Sequence, residues 1–257
     1  MFSETRSIDL NLDAGEDPSM LADGREAALY DLVSSVNIAC GGHAGDEASM
    51  RAALRLALAR SLAIGAHPSY PDKAGFGRDK LELESSALTE ALVSQLRALQ
   101  KCASIEGARL THVKPHGALY NVAATDEPTA LAFLEAVHQA DRSLAIVGLA
   151  GSSLARLARS KGFRFLGEAF VDRRYEANAT LRPRRFANAL ITKPEEASAQ
   201  AAMLLCEKRV RSHDGKSVAV AAETLCIHGD SPGAYEVARA VRTAIEKLGF
   251  KIAAPRA

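Results

Sequence analysis

The sequence predicts an α/β chain folded as a β/α barrel of about seven parallel strands, a single domain over residues 1–257. Three observations lead there. Short runs rich in Val, Ile and Leu recur along the chain, most followed by a longer segment with helical apolar spacing, which is the signature of parallel β/α units. No linker rich in Pro, Gly or Ser interrupts them, and β/α barrels run to about 250 residues as one unit. Polar and ionisable residues gather at the C-terminal ends of several strand runs, where barrel enzymes carry their reacting groups. An open doubly wound sheet fits the same periodicity, because periodicity is blind to strand order. The strand-end residues favour the barrel.

The first strand is expected at Ser7–Leu12, within Ile8-Asp9-Leu10-Asn11-Leu12-Asp13-Ala14-Gly15-Glu16. A period of two places Asp9, Asn11 and Asp13 on one face, opposite Leu10 and Leu12. The second strand, Val33–Cys40, leads into Gly41-Gly42-His43-Ala44-Gly45-Asp46, where glycines allow close backbone approach and Asp46 caps a helix over Asp46–Ser61. Met50, Ala53, Leu54, Ala57 and Leu58 form that helix's apolar stripe, with Arg51, Arg55 and Arg60 largely off it. The third strand, Leu62–His67, runs into Pro68-Ser69-Tyr70 and a loop, Asp72–Asp79, whose Phe76 and Arg78 suit closure over a small ligand.

A helix over Leu83–Glu106 precedes strand four, Arg109–Lys114, and the stiff turn Lys114-Pro115-His116-Gly117. A helix at Asp126–Gln139 is marked by Asp126 and Pro128, and strand five, Ser143–Leu149, passes through a Gly-rich turn into a helix at Ser152–Lys161. Strand six spans Phe163–Val171, a helix Pro194–Val210, strand seven Ser217–His228, and a last helix Pro232–Leu248, started by Ser231 and Pro232. Gly107, Gly162 and Gly249 sit just past helix ends.

Composition narrows the function classes. The 32 Lys plus Arg against 31 Asp plus Glu give a formal charge of +1, which lacks the basic excess of a nucleic-acid binder. At 47% hydrophobic and 25% charged, the chain can bury a sizeable core. Met1–Ile8 has no signal-peptide core and no run approaches about 20 apolar residues, so a cytoplasmic protein without membrane contact is expected. Cys40, Cys102, Cys206 and Cys226 form no CxxC pair and read as buried thiols.

Five of the seven histidines, His43, His67, His112, His116 and His228, lie at or just beyond strand ends, whereas His138 and His213 read as surface residues. Glu168, Asp172 and Arg173 near strand six, and Glu223, His228, Gly229 and Asp230 near strand seven, continue the pattern. Other motifs fail. His213-Asp214-Gly215-Lys216-Ser217 looks like a P-loop tail, but Val210 stands where the first glycine is required, so a turn is expected. Neither GxSxG nor HExxH occurs.

In this order the motifs resemble the lactam-utilization family, whose characterised bacterial members are the A subunits of ATP-dependent 5-oxoprolinase. The matching stretches are IDLNLDAGE (8–16), SSVNIACGGHAGD (34–46), AIGAHPSYPDKAGFGR (63–78), HVKPHGALYN (112–121), GLAGS (148–152), EAFVDRRY (168–175) and ETLCIHGD (223–230). The resemblance implies a β/α barrel distantly like polysaccharide deacetylases. It also implies partners, the 5-oxoprolinase subunits B and C, with which the lactam ring of 5-oxoproline is opened to glutamate as the co-substrate ATP is hydrolysed. The chain departs from the family pattern at Asp17-Pro18-Ser19, where Gly-Phe-Gly is common, at Gly42, where Phe is frequent, and at Glu223 and Ile227, where Asp and Val are usual.

An unstrained five-membered lactam gives simple hydrolysis little driving force. A phosphoryl group on the amide oxygen makes the ring carbon electrophilic, and a water activated by a carboxylate or imidazole can then add. The expected catalytic set is Asp13 or Glu16 as general base, with His43, His67 and His116 as donors or proton shuttles. Lys114 and Arg173 would steady carboxylate or phosphate charge, and Asn11, Asp172 and His228 with Asp230 would complete the substrate-binding set. With no complete Walker motif, ATP is expected to be handled partly by the partner subunits or by a fold-specific site, not by a P-loop in this chain. Two other readings stay open: a metal-dependent amidase or deacetylase on another small amide, with Asp13, His43 and His67 as first ligands of a divalent metal, and a non-catalytic subunit that positions ligand.

Overall fold

A computed structural model describes residues 6–231 and 233–255. Its strands are β1 (Ser7–Ala14), β2 (Ser35–Ala39), β3 (Ala63–His67), β4 (Leu110–Val113), β5 (Ala145–Leu149), β6 (Phe165–Phe170), β7 (Arg209–Arg211), β8 (Ser217–Ala219), β9 (Thr224–Ile227) and β10 (Lys251–Ile252). The helices are α1 (Pro18–Asp23), α2 (Arg25–Tyr30), α3 (Glu47–Ala59), α4 (Ser85–Glu106), α5 (Gly117–Ala123), α6 (Glu127–Asp141), α7 (Ser153–Ser160), α8 (Pro194–Glu207) and α9 (Ala234–Lys247).

Strands β1 to β6 pair in chain order and in parallel, β6 pairs with β9, and β9 returns to β1, closing a barrel of seven strands. Closure removes the sheet edges, and strands covered by helices outside are buried on both faces. The period-two alternation of β1 therefore sorts residues between two interiors. Leu10 and Leu12, both fully buried, join the apolar layer under the helices. Asn11 reaches Glu168 of β6, Asn37 of β2 and Thr224 of β9, so its face points into the barrel. Register brings the strand ends level, with Asp13 opposite Asn37, Ala39 opposite His67 and Phe170 opposite Cys226.

The helices pack by their apolar stripes. On α3 these are Met50, Ala53, Leu54 and Ala57, all buried. Leu58, expected on that stripe, is 39% exposed, one residue round the helix from Ala57. Asp46 caps α3 with a reciprocal bond to Ser49, and Gly107, Gly162 and Gly249 follow their helices with φ of 70°, 77° and 78°. Arg51 and Arg55 tie α3 to Glu106 at the end of α4.

The seventh expected strand divides. Ser217–Ala219 forms an antiparallel hairpin with β7 around Gly215, φ 85°, while Thr224–Ile227 alone enters the barrel. The helix expected to reach Val210 stops at Glu207, because Lys208 turns left-handed at φ 53° and releases the chain into β7. The P-loop look-alike is thus the hairpin turn. Of the thiols, Cys40, Cys102 and Cys226 are buried, but Cys206, on the last turn of α8, is exposed. Pro232, expected to start the last helix, lies outside the described residues. Among the described residues no helix is long and apolar enough to cross a membrane.

Candidate active site

A cavity of about 500 Å3 lies at the C-terminal strand ends, reached by Asp13 near the end of β1, Glu16 just after it, His67 at the end of β3, Lys114 and His116 after β4, and His228 after β9. Arg78, Arg173, Arg184 and Asp230 line it further out. Three residues of the expected set do not line it. Asn11 lies below, with bonds to Glu168, Thr224 and Asn37, and accepts from Lys114. His43 is buried behind Glu16, and Asp172 is buried behind His228.

Glu16 gathers three imidazoles. Its Oε1 lies 3.0 Å from His43 Nε2, 3.1 Å from His116 Nδ1 and 3.9 Å from His67 Nε2. Backbone carbonyls fix two of the tautomers. His67 Nδ1 is 2.8 Å from the Lys114 carbonyl and His116 Nε2 is 3.1 Å from that of Phe76, so both nitrogens carry the proton and donate. The free lone pairs of His67 Nε2 and His116 Nδ1 then face each other at 3.0 Å, with Asp13 Oδ2 3.2 Å from His67 Nε2. Four electron-rich atoms converging in this way require a proton or a cation among them. His43, stacked parallel on His116 at 3.6 Å, leaves its buried Nδ1 without a partner among the described residues.

The loop over Asp72–Asp79 holds this group from above. Phe76 packs edge-on against His43 and His116 and supplies the carbonyl that His116 binds, while the Gly77 carbonyl accepts from Ala118 at the start of α5. Gly77 and Gly117 both have positive φ, 60° and 57°, and a Cβ on Gly117 would strike the Gly77 carbonyl oxygen.

A second imidazole is oriented from the other wall. Asp172 accepts from the His228 backbone N–H at 2.7 Å and from Nδ1 at 2.9 Å, which leaves Nε2 as the free nitrogen. Asp230, two residues beyond His228, binds Arg78 at 2.8 Å and Arg184 at 3.3 Å. Between the two imidazole groups Lys114 is fully engaged, with Asp13 at 2.8 Å, Glu168 at 2.9 Å and Cys226 Sγ at 3.1 Å.

Electrostatics follow from burial opposed by pairing. Burial pushes the Asp13 carboxyl up, but His67 and Lys114 overcome this and hold it well below the usual carboxylate range. Glu16 is likewise lowered, its burial outweighed by its hydrogen-bonding contacts with His116 and His43. Burial pushes His43 down to about 4 and lowers His116, so neutral imidazoles face ionised carboxylates at neutral pH. Burial raises the Cys226 thiol well above its ordinary value, which keeps it protonated beside Lys114.

Among the described residues two groups offer donor atoms within 4.8 Å of one another: Glu16 with His43, His67 and His116, and Asp13 with Cys226 and His228. The first is the better cation cage. Its lone pairs already converge, and carbonyls hold His67 and His116 from behind as metal-binding imidazoles need. The second relies on a protonated thiol. Of the first ligands expected from sequence, His43 and His67 fall in the first group with Glu16 and His116, and Asp13 falls in the second. A second cavity of about 710 Å3 shares Asp13, Glu16, Arg78 and Asp230, and the departing residues Asp17 and Pro18 line it.

Residues 8–257 match the model of the LamB/YcsF family. The chain is 45% identical over 247 residues to the 5-oxoprolinase A subunit of Heliobacterium modesticaldum, covering 96% of this chain and 97% of that one. It superposes on the lactam utilization protein of Thermus thermophilus with a TM-score of 0.89 at 43% identity, covering 97% and 100% of the two chains. A family 4 carbohydrate esterase from Streptomyces lividans shares the fold alone, at TM-score 0.52 and 10% identity over 96% and 91% of the chains.

Proposed function

The chain belongs to the LamB/YcsF family, and from that premise we propose that it is the A subunit of an ATP-dependent 5-oxoprolinase, opening the lactam of 5-oxoproline to L-glutamate in the cytoplasm. One observation carries the reading. Asp13 and Glu16, both ionised, stand on the cavity floor with the oriented imidazoles of His67 and His116 beside them and His228 across from them.

In this reading the B and C subunits supply the ATP chemistry, since the sequence has no P-loop, and the lactam oxygen carries the phosphoryl group. Asp13, with His67 at 3.2 Å, takes a proton from the attacking water. Collapse of the tetrahedral adduct breaks the ring C–N bond, and His228 Nε2, its ring steadied by Asp172, relays to the leaving nitrogen the proton that Asp13 took from the water. The acyl phosphate that remains takes up a second water and releases phosphate. Lys114, locked between Asp13 and Glu168, keeps Asp13 ionised and in place.

The converging lone pairs support a related reading, a metal-assisted amide hydrolase. Glu16, His67 and His116 would hold a divalent ion, with His43 and Asp13 adjoining. Such an ion would polarise a carbonyl or lower the pKa of a water.

The test is glutamate release and ATP hydrolysis from 5-oxoproline with this protein omitted from, or added to, its cognate B and C subunits. The reading expects coupled turnover only with all three, and little ATPase from this chain alone. Strong 5-oxoproline-dependent ATP hydrolysis by the isolated chain would contradict it. Chelator-sensitive amidase activity without ATP would favour the metal reading.

A further inference from the structure

Three guanidinium groups line the main cavity, those of Arg78, Arg173 and Arg184, and a single carboxylate serves them. Asp230 binds Arg78 and Arg184. Arg173 has no carboxylate within ion-pair distance among the described residues, although the residue is only 5% exposed. Its one side-chain bond runs from Nη2 to the Arg182 carbonyl at 2.8 Å, and its buried Nε has no partner. The neighbouring carboxylate, Asp172, is committed to His228. A buried guanidinium with no carboxylate in bonding contact is costly, and burial together with the Arg184 charge, only partly offset by Asp172, pushes its pKa down to about 10.

The fold keeps Arg173 in place regardless. Gln200 donates to the carbonyls of Arg173 at 2.8 Å and Phe170 at 2.7 Å, and the strand segment around it pairs with Leu190 and with Ala189 through Arg174. Lys114, the other buried cation of the cavity, differs. Its charge is already matched by Asp13 and Glu168.

We propose that Arg173 is the specificity-determining group of this site, an anion subsite that binds a carboxylate on the substrate, so that this chain selects acidic cyclic amides over neutral ones. The ligand rests on the lactam reading above; the subsite rests on the unpaired guanidinium. A planar fork with unused donors suits a planar carboxylate, whose charge offsets part of the excess that three guanidiniums and one carboxylate leave. Recognition of the acid then belongs to this chain.

The experiment is calorimetric titration of the full chain with L-5-oxoproline, its primary amide, 2-pyrrolidinone, acetate and inorganic phosphate. The proposal expects 5-oxoproline to bind at least about tenfold more tightly than either neutral lactam. Arg173→Gln should erase that preference and leave the neutral lactams' affinities unchanged, and Arg173→Lys should restore only part of it. Equal binding of acid and amide to the wild-type chain, which needs no variant, would overturn the proposal even if 5-oxoproline is turned over. Preserved discrimination in a folded Arg173→Gln chain would overturn it too, as would phosphate binding in preference to any carboxylate, or no binding of any probe at millimolar concentration. Acetate bound through Arg173 with no lactam bound would sink the lactam reading and keep the subsite.

Discussion

The barrel interior has two polar layers, both built from the same inward faces, and they differ in how far their polar groups are paired. In the lower layer Asp9 accepts from Ser34, Ser35 and Thr224, Asn11 binds Glu168 and Thr224, and Asn37 bridges Asn11, Asp13 and His112. Asp9, Asn11, Asn37 and Thr224 find partners within the layer, although Glu168 Oε2 stays unpaired among the described residues. One turn of the pleat higher, the lone pairs of His67 and His116 oppose each other, His43 Nδ1 has no partner and Arg173 Nε has none. Polarity alone therefore does not mark the site. What marks it is polarity left incomplete, which a ligand, proton or cation can complete.

Substitutions in the two layers should separate catalysis from stability. Glu16→Gln weakens the hold on three imidazoles, and the coupled rate should fall about 1000-fold in the assembled enzyme, with near-native thermal stability. If the cage holds a divalent ion, metal retained through gel filtration, read by elemental analysis, should disappear with it. Asp172→Asn frees His228 to adopt the wrong tautomer, and kcat should fall about 100-fold with KM little changed, measured as steady-state glutamate release. In the lower layer Thr224→Val removes bonds to Asp9 and Asn11; chemical denaturation should show a loss of about 2 kcal/mol while the folded fraction keeps its rate. A large rate loss there with unchanged stability would erase the contrast between the layers.

The smallest effect concerns Glu26, which borders the second cavity and accepts from Gly15 N and Tyr30 Oη. Burial raises its pKa from 4.5 to about 7. The folded state thus binds this proton more tightly than the unfolded chain, so the contribution to stability is complete below about pH 4.5 and is lost as pH rises through 7. Between pH 5 and 6 that loss is on the order of 1 kcal/mol, and Glu26→Gln should flatten this part of the stability profile.

The strand-end histidines and the alternation of Asp9, Asn11 and Asp13 were legible because they lie within one local period. The barrel was legible because its strands are short, apolar and regularly spaced. Pairing was not. His228 finds Asp172 56 residues away and Asn11 finds Thr224 213 residues away, whereas the near neighbour Asp230 serves the arginines. Helices α1, α2 and α5, of six, six and seven residues, are too short for an apolar stripe to repeat, and the three-residue strands β7 and β8 vanish inside longer runs. Asn11 has the same residue chemistry as a binding group but a saturated environment, and only coordinates distinguish the two. The unpaired state of Arg173 is equally invisible in sequence, since it depends on which carboxylates are already taken.

We assign the reacting groups of lactam opening to the upper layer of this chain. Asp13→Asn tests this assignment most directly, in the complete enzyme with B and C subunits and with the fold of the variant verified by circular dichroism. Glutamate release from 5-oxoproline should fall at least about 100-fold. Full turnover with the substituted chain would place the chemistry elsewhere and leave this barrel as a component that only holds the ligand.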